Sequence, residues 1–298
     1  MLFSPSDNIS PSNPPHTSNF LKNWYNGFLR SEYYNRLSDE EKLFAEEIIN
    51  DFSCNSWYYH NCLPEEWSPQ TLELTLFIDY PRSLIQNELY IASIPTVLTA
   101  FFYYLESTHL VNNANHLYSK MCEITDTFYL HMDDTKLWGP KKAFLYLALA
   151  AGVKGTEEDS IYKFICRFIQ NQVPGKDEQT ILSLSHILYY WLFPFSDSKQ
   201  LSNLDPTSYC HCATIISKLM TNLVVRSGIP PQEWTSSDIS REITDHLRIT
   251  FQNSDQFEYI IPVLKAFFSF LSEKQLQSQA KEIFQDLSKL PLLEGKEF

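Results

Sequence analysis

Apolar residues along this chain recur at helical spacing. In Val97–Leu110, VLTAFFYYLESTHL, Leu98, Phe101, Phe102 and Leu105 fall at i, i+3, i+4 and i+7, which is one face of an α-helix. The same face is written again in Val263–Leu276, VLKAFFSFLSEKQL, where Leu264, Phe267, Phe268 and Leu271 hold the equivalent places and seven of fourteen positions are identical. Chance identity in ordinary composition is roughly one position in fifteen. No long segment alternates in the strand manner, so the pattern predicts an all-α protein.

The repeat extends well beyond that helix. At an offset of 167, Leu21, Trp24, Phe28, Leu37, Ile48, Ile49, Pro64, Glu66, Trp67, Ile94 and Pro95 fall on Leu188, Trp191, Phe195, Leu204, Ile215, Ile216, Pro231, Glu233, Trp234, Ile261 and Pro262. A one-residue deletion after Pro95 moves the offset to 166. The pattern divides the chain into a polar tail at 1–19, a helical repeat at 20–124, a 63-residue helical insertion at 125–187, a second repeat at 188–290 and a short C-terminal tail at 291–298. Stop and start signals agree with helices. Ser38 with Glu41 reads as a capping box, with Asp205 in the place of Ser38 in the second repeat. Ser68 and Thr235 read as N-caps, which sets Trp67 and Trp234 against Leu72 and Ile239 as hydrophobic staples. In the insertion, Pro140–Ala151 opens on Pro and closes on Gly152, Thr156 is an N-cap followed by Glu157, Glu158 and Asp159, and a further helix spans Thr180–Phe193.

Composition narrows the classes of function. The 298 residues are 44% hydrophobic and 15% aromatic, enough apolar surface for one large or two medium cores. Asp and Glu outnumber Lys and Arg by 36 to 23, a formal charge of -13 with no concentrated basic run, which disfavours nucleic acid and anionic membrane as partners. The longest nearly unbroken apolar run, Ala143–Val153, falls short of the roughly 20 residues that cross a bilayer. The start of the chain, MLFSPSDNISPSNPPHTSN, lacks the basic and apolar regions of a secretory signal and is expected to be disordered. Six cysteines without regular spacing fit a reducing compartment, and a cytoplasmic protein is expected.

Candidate chemistry is sparse. Cys210, His211 and Cys212 stand too close along one helix to close on a single ion, and their counterparts Leu43, Phe44 and Ala45 make Cys210 and Cys212 replacements for core residues. His60 and Cys62 match Ser227 and Ile229, so neither a metal nor another cofactor is expected. Glu66 and Glu233 lie before helix N-termini, where a carboxylate is favoured; together with Trp67 and Trp234 they are binding candidates if the structure leaves them at the surface. In LHMDDTKLWGP, His131, Asp133 and Asp134 offer a base and two carboxylates, or a loop that caps the helix from Pro140. The motifs of phosphate-binding loops, nucleophile elbows and zinc peptidases are absent from the sequence.

From Trp67 onward, Tyr80-Pro81-Arg82, Ile94-Pro95, Val97-Leu98, Ala100-Phe101-Phe102, Asn113-Ala114 and Trp138-Gly139-Pro140-Lys141 form a pattern that covers roughly a third of the chain. It resembles a helical module of uncharacterised bacterial proteins, where the module sometimes accompanies a small Cys-rich SEC-C metal-binding motif. The resemblance implies a bacterial helical module. The SEC-C motif is not in this sequence, so no metal role comes with the likeness. Duplicated helical units typically serve protein recognition, and the expected function is a non-enzymatic scaffold or protein-binding protein. Two other functions compete with it: an enzyme with a site between the repeats near His131, Asp133 and Asp134, and a secreted effector of an intracellular bacterium using the polar tail.

Overall fold

A computed structural model describes residues 17–153 and 158–290, with the backbone alone at 17–20, 158–159 and 206–207. The described residues form helices and turns with no strand, so the protein is all-α. Most of the 1–19 tail, the Thr156 cap with Glu157, and the tail at 291–298 lie outside the described residues.

The chain folds as two units, Met1–Leu137 and Trp138–Phe298. The first is built from α1 (Thr17–Phe28), α2 (Asp39–His60), α3 (Pro69–Leu74), α4 (Glu88–Ser107) and α5 (Ala114–Asp133). Helix α4 is its axis, and Ile94, Val97, Leu98, Phe101, Phe102 and Leu105 are wholly buried. Around it gather Phe28 of α1, Phe52 of α2, Trp67 and Leu72 at the start of α3, and Leu117, Met121 and Phe128 of α5. By length and composition α4 could cross a membrane, yet 56% of its apolar window is buried inside the protein, as befits a core helix.

The second unit comprises α6 (Pro140–Ala150), α7 (Glu158–Gln172), α8 (Glu178–His186), α9 (Pro206–Met220), α10 (Ser236–Glu242), α11 (Ile260–Glu273) and α12 (Ala280–Leu287). Helix α11 supplies its buried stripe of Leu264, Phe267, Phe268 and Leu271. The insertion is no separate joint. Ala148, Ile161, Ile165 and Leu184 lie in the same core as Trp191, Trp234 and Phe267, while its first residues, 125–133, continue α5 of the first unit. Sequence matching could not see this, because helices without a counterpart still have to bury their apolar faces somewhere.

Local signals explain most boundaries. Ser38 Oγ accepts from Glu41 N at 3.2 Å and Glu41 accepts from Ser38 N at 2.7 Å, closing the capping box. Ser68 and Thr235 cap α3 and α10, with Leu72 and Ile239 buried beside the two tryptophans. Helix α6 begins on Pro140 and ends where Gly152 adopts φ 79°. Helix α8 starts earlier than its pattern suggests, since Asp177 and not Thr180 is the cap and accepts from Thr180 N at 2.8 Å.

Several backbone features recur at the repeat offset. Short 3₁₀ turns occupy Pro64–Glu66 and Pro231–Glu233, α5 and α12 start at Ala114 and Ala280, and π-helical turns occupy Thr75–Asp79 and Ile243–Leu247, one residue out of step with the offset of 167. His109 and Gln275 take left-handed φ values of 54° and 55° after α4 and α11.

Gly27 marks the closest approach of α1 to α4, because a Cβ there would lie 2.1 Å from Tyr104 Oη and 3.2 Å from Tyr104 Cζ. The Tyr104 ring is held by Phe28 at 5.7 Å and Phe101 at 6.3 Å and has little room to retreat. Gly27→Ala should therefore cost about 1 to 3 kcal/mol despite alanine's better helix propensity. Chemical denaturation followed by circular dichroism measures this, and Tyr104→Phe in the same chain should recover part of the loss.

A buried carboxylate and tyrosine cluster as candidate functional site

The densest polar grouping lies inside the first unit, where α2 faces the π-helical turn Thr75–Asp79 and the short turn Tyr80–Ser83 that follows it. Inserting one residue per turn, the π-helix sets Thr75 and Asp79 toward α2 while Leu76 still reaches the core. Thr75 Oγ1 is 3.5 Å from Ser56 Oγ. Asp79 is almost wholly buried and is shared by two partners: His60 Nε2 is 2.7 Å from its Oδ2, and Arg82 Nη2 donates to its Oδ1 at 3.1 Å. The Arg82 guanidinium, itself buried, lies 4.4 Å from the centre of the Tyr59 ring. A buried acid so surrounded is held as part of an ion pair, and it orients an imidazole that keeps 20% of its side-chain surface in solvent.

A second acid lies further along α2 toward its start. Asp51 accepts from Tyr90 Oη of α4 at 2.6 Å. Burial pushes Asp51 up to about 6, Glu47 one turn earlier adds to the rise, and the Tyr90 hydrogen bond opposes it. Tyr90 is driven well above the usual tyrosine range by burial first and by the Asp51 charge second. Between the two acids sits Tyr80. Its hydroxyl is fully buried with no hydrogen-bond partner, and burial followed by the charges of Asp51, Cys54 and Asp79 holds it well above its ordinary value. Perturbed acids and hydroxyls gathered in one place are the physical mark of a candidate site.

The second unit keeps polar residues in the matching region but changes their identity. Asn222 Nδ2 donates to Glu242 Oε1, and His246 Nε2 lies 3.9 Å from Glu242 Oε2. Burial raises Glu242 above the usual carboxylate range. At the offset of 167 Glu242 stands for Thr75, His246 for Asp79 and Ser227 for His60, so the His60–Asp79 pair has no counterpart in the second unit.

The residues singled out from sequence fare differently. His131 turns Nδ1 to Phe77 O at 3.2 Å with its ring 4.5 Å from that of Phe77, while Asp133 and Asp134 are exposed. Asp134 accepts from Lys136 N at 3.0 Å, and the helix from Pro140 is preceded by Gly139 without a side-chain cap, so the expected capping role is corrected. Trp67 and Trp234 are completely buried and present no surface to a partner. Glu66 and Glu233 are exposed, and Glu66 accepts from Leu63 N at 3.1 Å within its own turn. Cys212 is buried as expected, whereas Cys210 is exposed and so is not a core residue. The cause is the helical register, since residues two apart point in nearly opposite directions; its counterpart Leu43 is exposed too. His60 is taken by Asp79, and Cys62 Sγ accepts from Thr71 Oγ1 at 3.5 Å. Among the described residues no three His, Cys, Asp or Glu side chains gather as a metal would need.

Sequence reasoning quoted Tyr80-Pro81-Arg82 only as a likeness and passed over Asp51, Asp79 and Tyr90. The signal was Asp79 and Arg82, three apart, inside the otherwise apolar run LTLFIDYPRSLI. Comparison with known protein families, curated proteins and solved structures finds no match.

Proposed function

We propose that this protein is a helical scaffold built from two copies of one module and that it binds another protein through the first. The observation that carries the reading is the outer face of α2. Leu43 is 76% exposed, and the four positions that flank it on the helix surface, i-4, i-3, i+3 and i+4, are Asp39, Glu40, Glu46 and Glu47. An isolated exposed leucine needs no explanation, but an exposed leucine ringed by four carboxylates is a surface that a partner of opposite charge would complement. The matching positions of the second unit are Cys210, Pro206, Thr207, Ala213 and Thr214, none of them charged.

Whole-unit charge points the same way. Met1–Leu137 holds seven Lys and Arg against eighteen Asp and Glu, a balance of -11, while Trp138–Phe298 holds sixteen against eighteen, a balance of -2. A basic protein surface with an apolar side chain at its centre is the complementary partner. The resemblance to a bacterial helical module supports a module that recognises and adds no reaction.

Crosslinking pull-down of the tagged full-length chain from its native cell, read by mass spectrometry, tests this. A stoichiometric basic partner should be retained by the native chain and lost with Leu43→Ser, Glu40→Lys and Glu47→Lys combined. Equal retention by the variant, or no specific partner on a folded native chain, would remove α2 as the recognition face.

A further inference from the structure

Helix α4 has an outer face that the first unit leaves uncovered. Between Glu88 and Glu106 the helix carries no charge. Its exposed positions in that stretch are Leu89, Ala92, Thr96 and Tyr103, with Thr99 half-buried between the last two. The spacing is three, four, three and four residues, the a and d seam of a coiled coil, whereas ordinary exposed apolar residues are scattered singly. Leu89 is 61% exposed and Tyr103 40%.

Helix α5 runs along one side of this seam in the opposite direction. Tyr118 near its start meets Tyr103 with ring centres 4.9 Å apart, and Tyr129 near its end donates its hydroxyl to Ala92 O at 3.1 Å. Tyr33 meets Tyr103 as well, again at 4.9 Å. The seam is thus a shallow uncharged channel floored by α4, with room along it for about 21 Å of a second helix. We propose that this channel takes an amphipathic helix of a partner protein, with an apolar stripe at heptad spacing and Lys or Arg along its flanks. The inference rests on the reading of the first unit as a recognition module and adds the form of the partner, on a different helix from that of Leu43.

Charge selects this occupant. The charged groups beside the channel are acidic: Asp126 and Glu41 act on the Tyr129 hydroxyl, and Glu106 acts on that of Tyr118. Among the described residues none of these three carboxylates is in an ion pair. The nearby cations are committed elsewhere, since Arg36 pairs with Glu32 at 2.6 Å, Lys42 lies over the Tyr34 ring, and Lys120 holds Glu73 and Glu123. A basic flank therefore finds free acids on α2, α4 and α5. A second copy of this chain would instead bring the same acids, on a unit with a balance of -11, against one another.

The second unit does not offer the same face. At the repeat offsets Leu89, Ala92, Thr99 and Tyr103 become Gln256, Tyr259, Lys265 and Ser269. A lysine stands within the stripe, and the His211 ring of α9 stacks on Tyr259 at 4.8 Å.

A synthetic helical peptide of about five turns, with leucine and alanine at a and d and lysine on its flanks, titrated against the full chain and mapped by backbone amide shifts, tests the channel. Binding should move amides of α4 and α5 and leave those of α11 in place. Thr96→Arg, an exposed change in the middle of the seam, should weaken it about tenfold or more, and so should glutamate in place of lysine on the peptide. Ala92→Lys, also exposed, replaces Thr96→Arg should that variant fail to fold. No shift at about 1 mM peptide, or equal affinity for the two peptides or for the native and substituted chains, overturns the proposal. So does a dimer in sedimentation that Thr96→Arg abolishes, which would give the face to a second copy. The α2 variant with Leu43→Ser, Glu40→Lys and Glu47→Lys keeps the two surfaces apart. Peptide binding lost there and kept in Thr96→Arg ends this proposal and leaves the α2 reading standing; binding lost in Thr96→Arg and kept in the α2 variant supports the channel by itself.

Discussion

Trp67→Ala and Trp234→Ala are each expected to lower stability by about 3 to 5 kcal/mol, among the largest single losses available in this protein. Both indoles are fully buried. Trp67 packs edge-on against Phe52 at 4.9 Å and meets Phe102 at 6.1 Å; Trp234 packs against Trp191 at 5.8 Å. Truncation at either place removes a staple at a helix start and leaves a cavity that rigid aromatic neighbours cannot fill. The two sites differ in their polar atom. Trp234 Nε1 donates to Ile229 O at 3.2 Å, whereas Trp67 Nε1 is buried with no hydrogen-bond partner. Replacement by Phe should therefore be milder at Trp67, where it also removes an unsatisfied donor. Urea unfolding followed at 222 nm gives the four values. A loss below about 1 kcal/mol for either alanine variant would contradict its burial.

The tryptophan staples were legible because they are local. A cap, a neighbour four residues on and a buried ring can all be read from a short stretch, and the same reading found the capping box at Ser38 and the stripe of α4. What it missed depends on contacts between distant segments. Nothing near Ala148 or Ile161 says which body will bury them, so the sequence marked an insertion at 125–187 without showing that most of it joins the second unit's core. The candidate site was hidden for the same reason. Asp51 and Tyr90 are 39 residues apart, His60 and Asp79 are 19 apart, and each looks like an ordinary surface residue until a π-helical turn brings the last of them inward. The Cys210 error has a different origin: a hydrophobic counterpart was taken to mean a buried one, and Leu43 is exposed.

Arg82→Leu is expected to cost about 3 to 5 kcal/mol, comparable to losing a tryptophan, although the substitution puts an apolar side chain where the surroundings are already buried. The reason is the group left behind. Asp79 is as buried as Arg82, and without the guanidinium its carboxylate keeps only His60, so most of the cost belongs to an uncompensated charge. Loss of the contact with the Tyr59 ring adds to it. Three further variants separate these contributions. Arg82→Lys keeps the charge and gives up the planar fork, and should fall between the native chain and Arg82→Leu. Asp79→Leu alone strands a buried guanidinium and should be similarly damaging. The double variant Arg82→Leu with Asp79→Leu removes both charges together and should recover much of the loss, giving a coupling of at least about 2 kcal/mol in the double-mutant cycle. Additive losses within about 0.5 kcal/mol would mean that the two side chains act independently, and the paired arrangement around Asp79 would then have no energetic content.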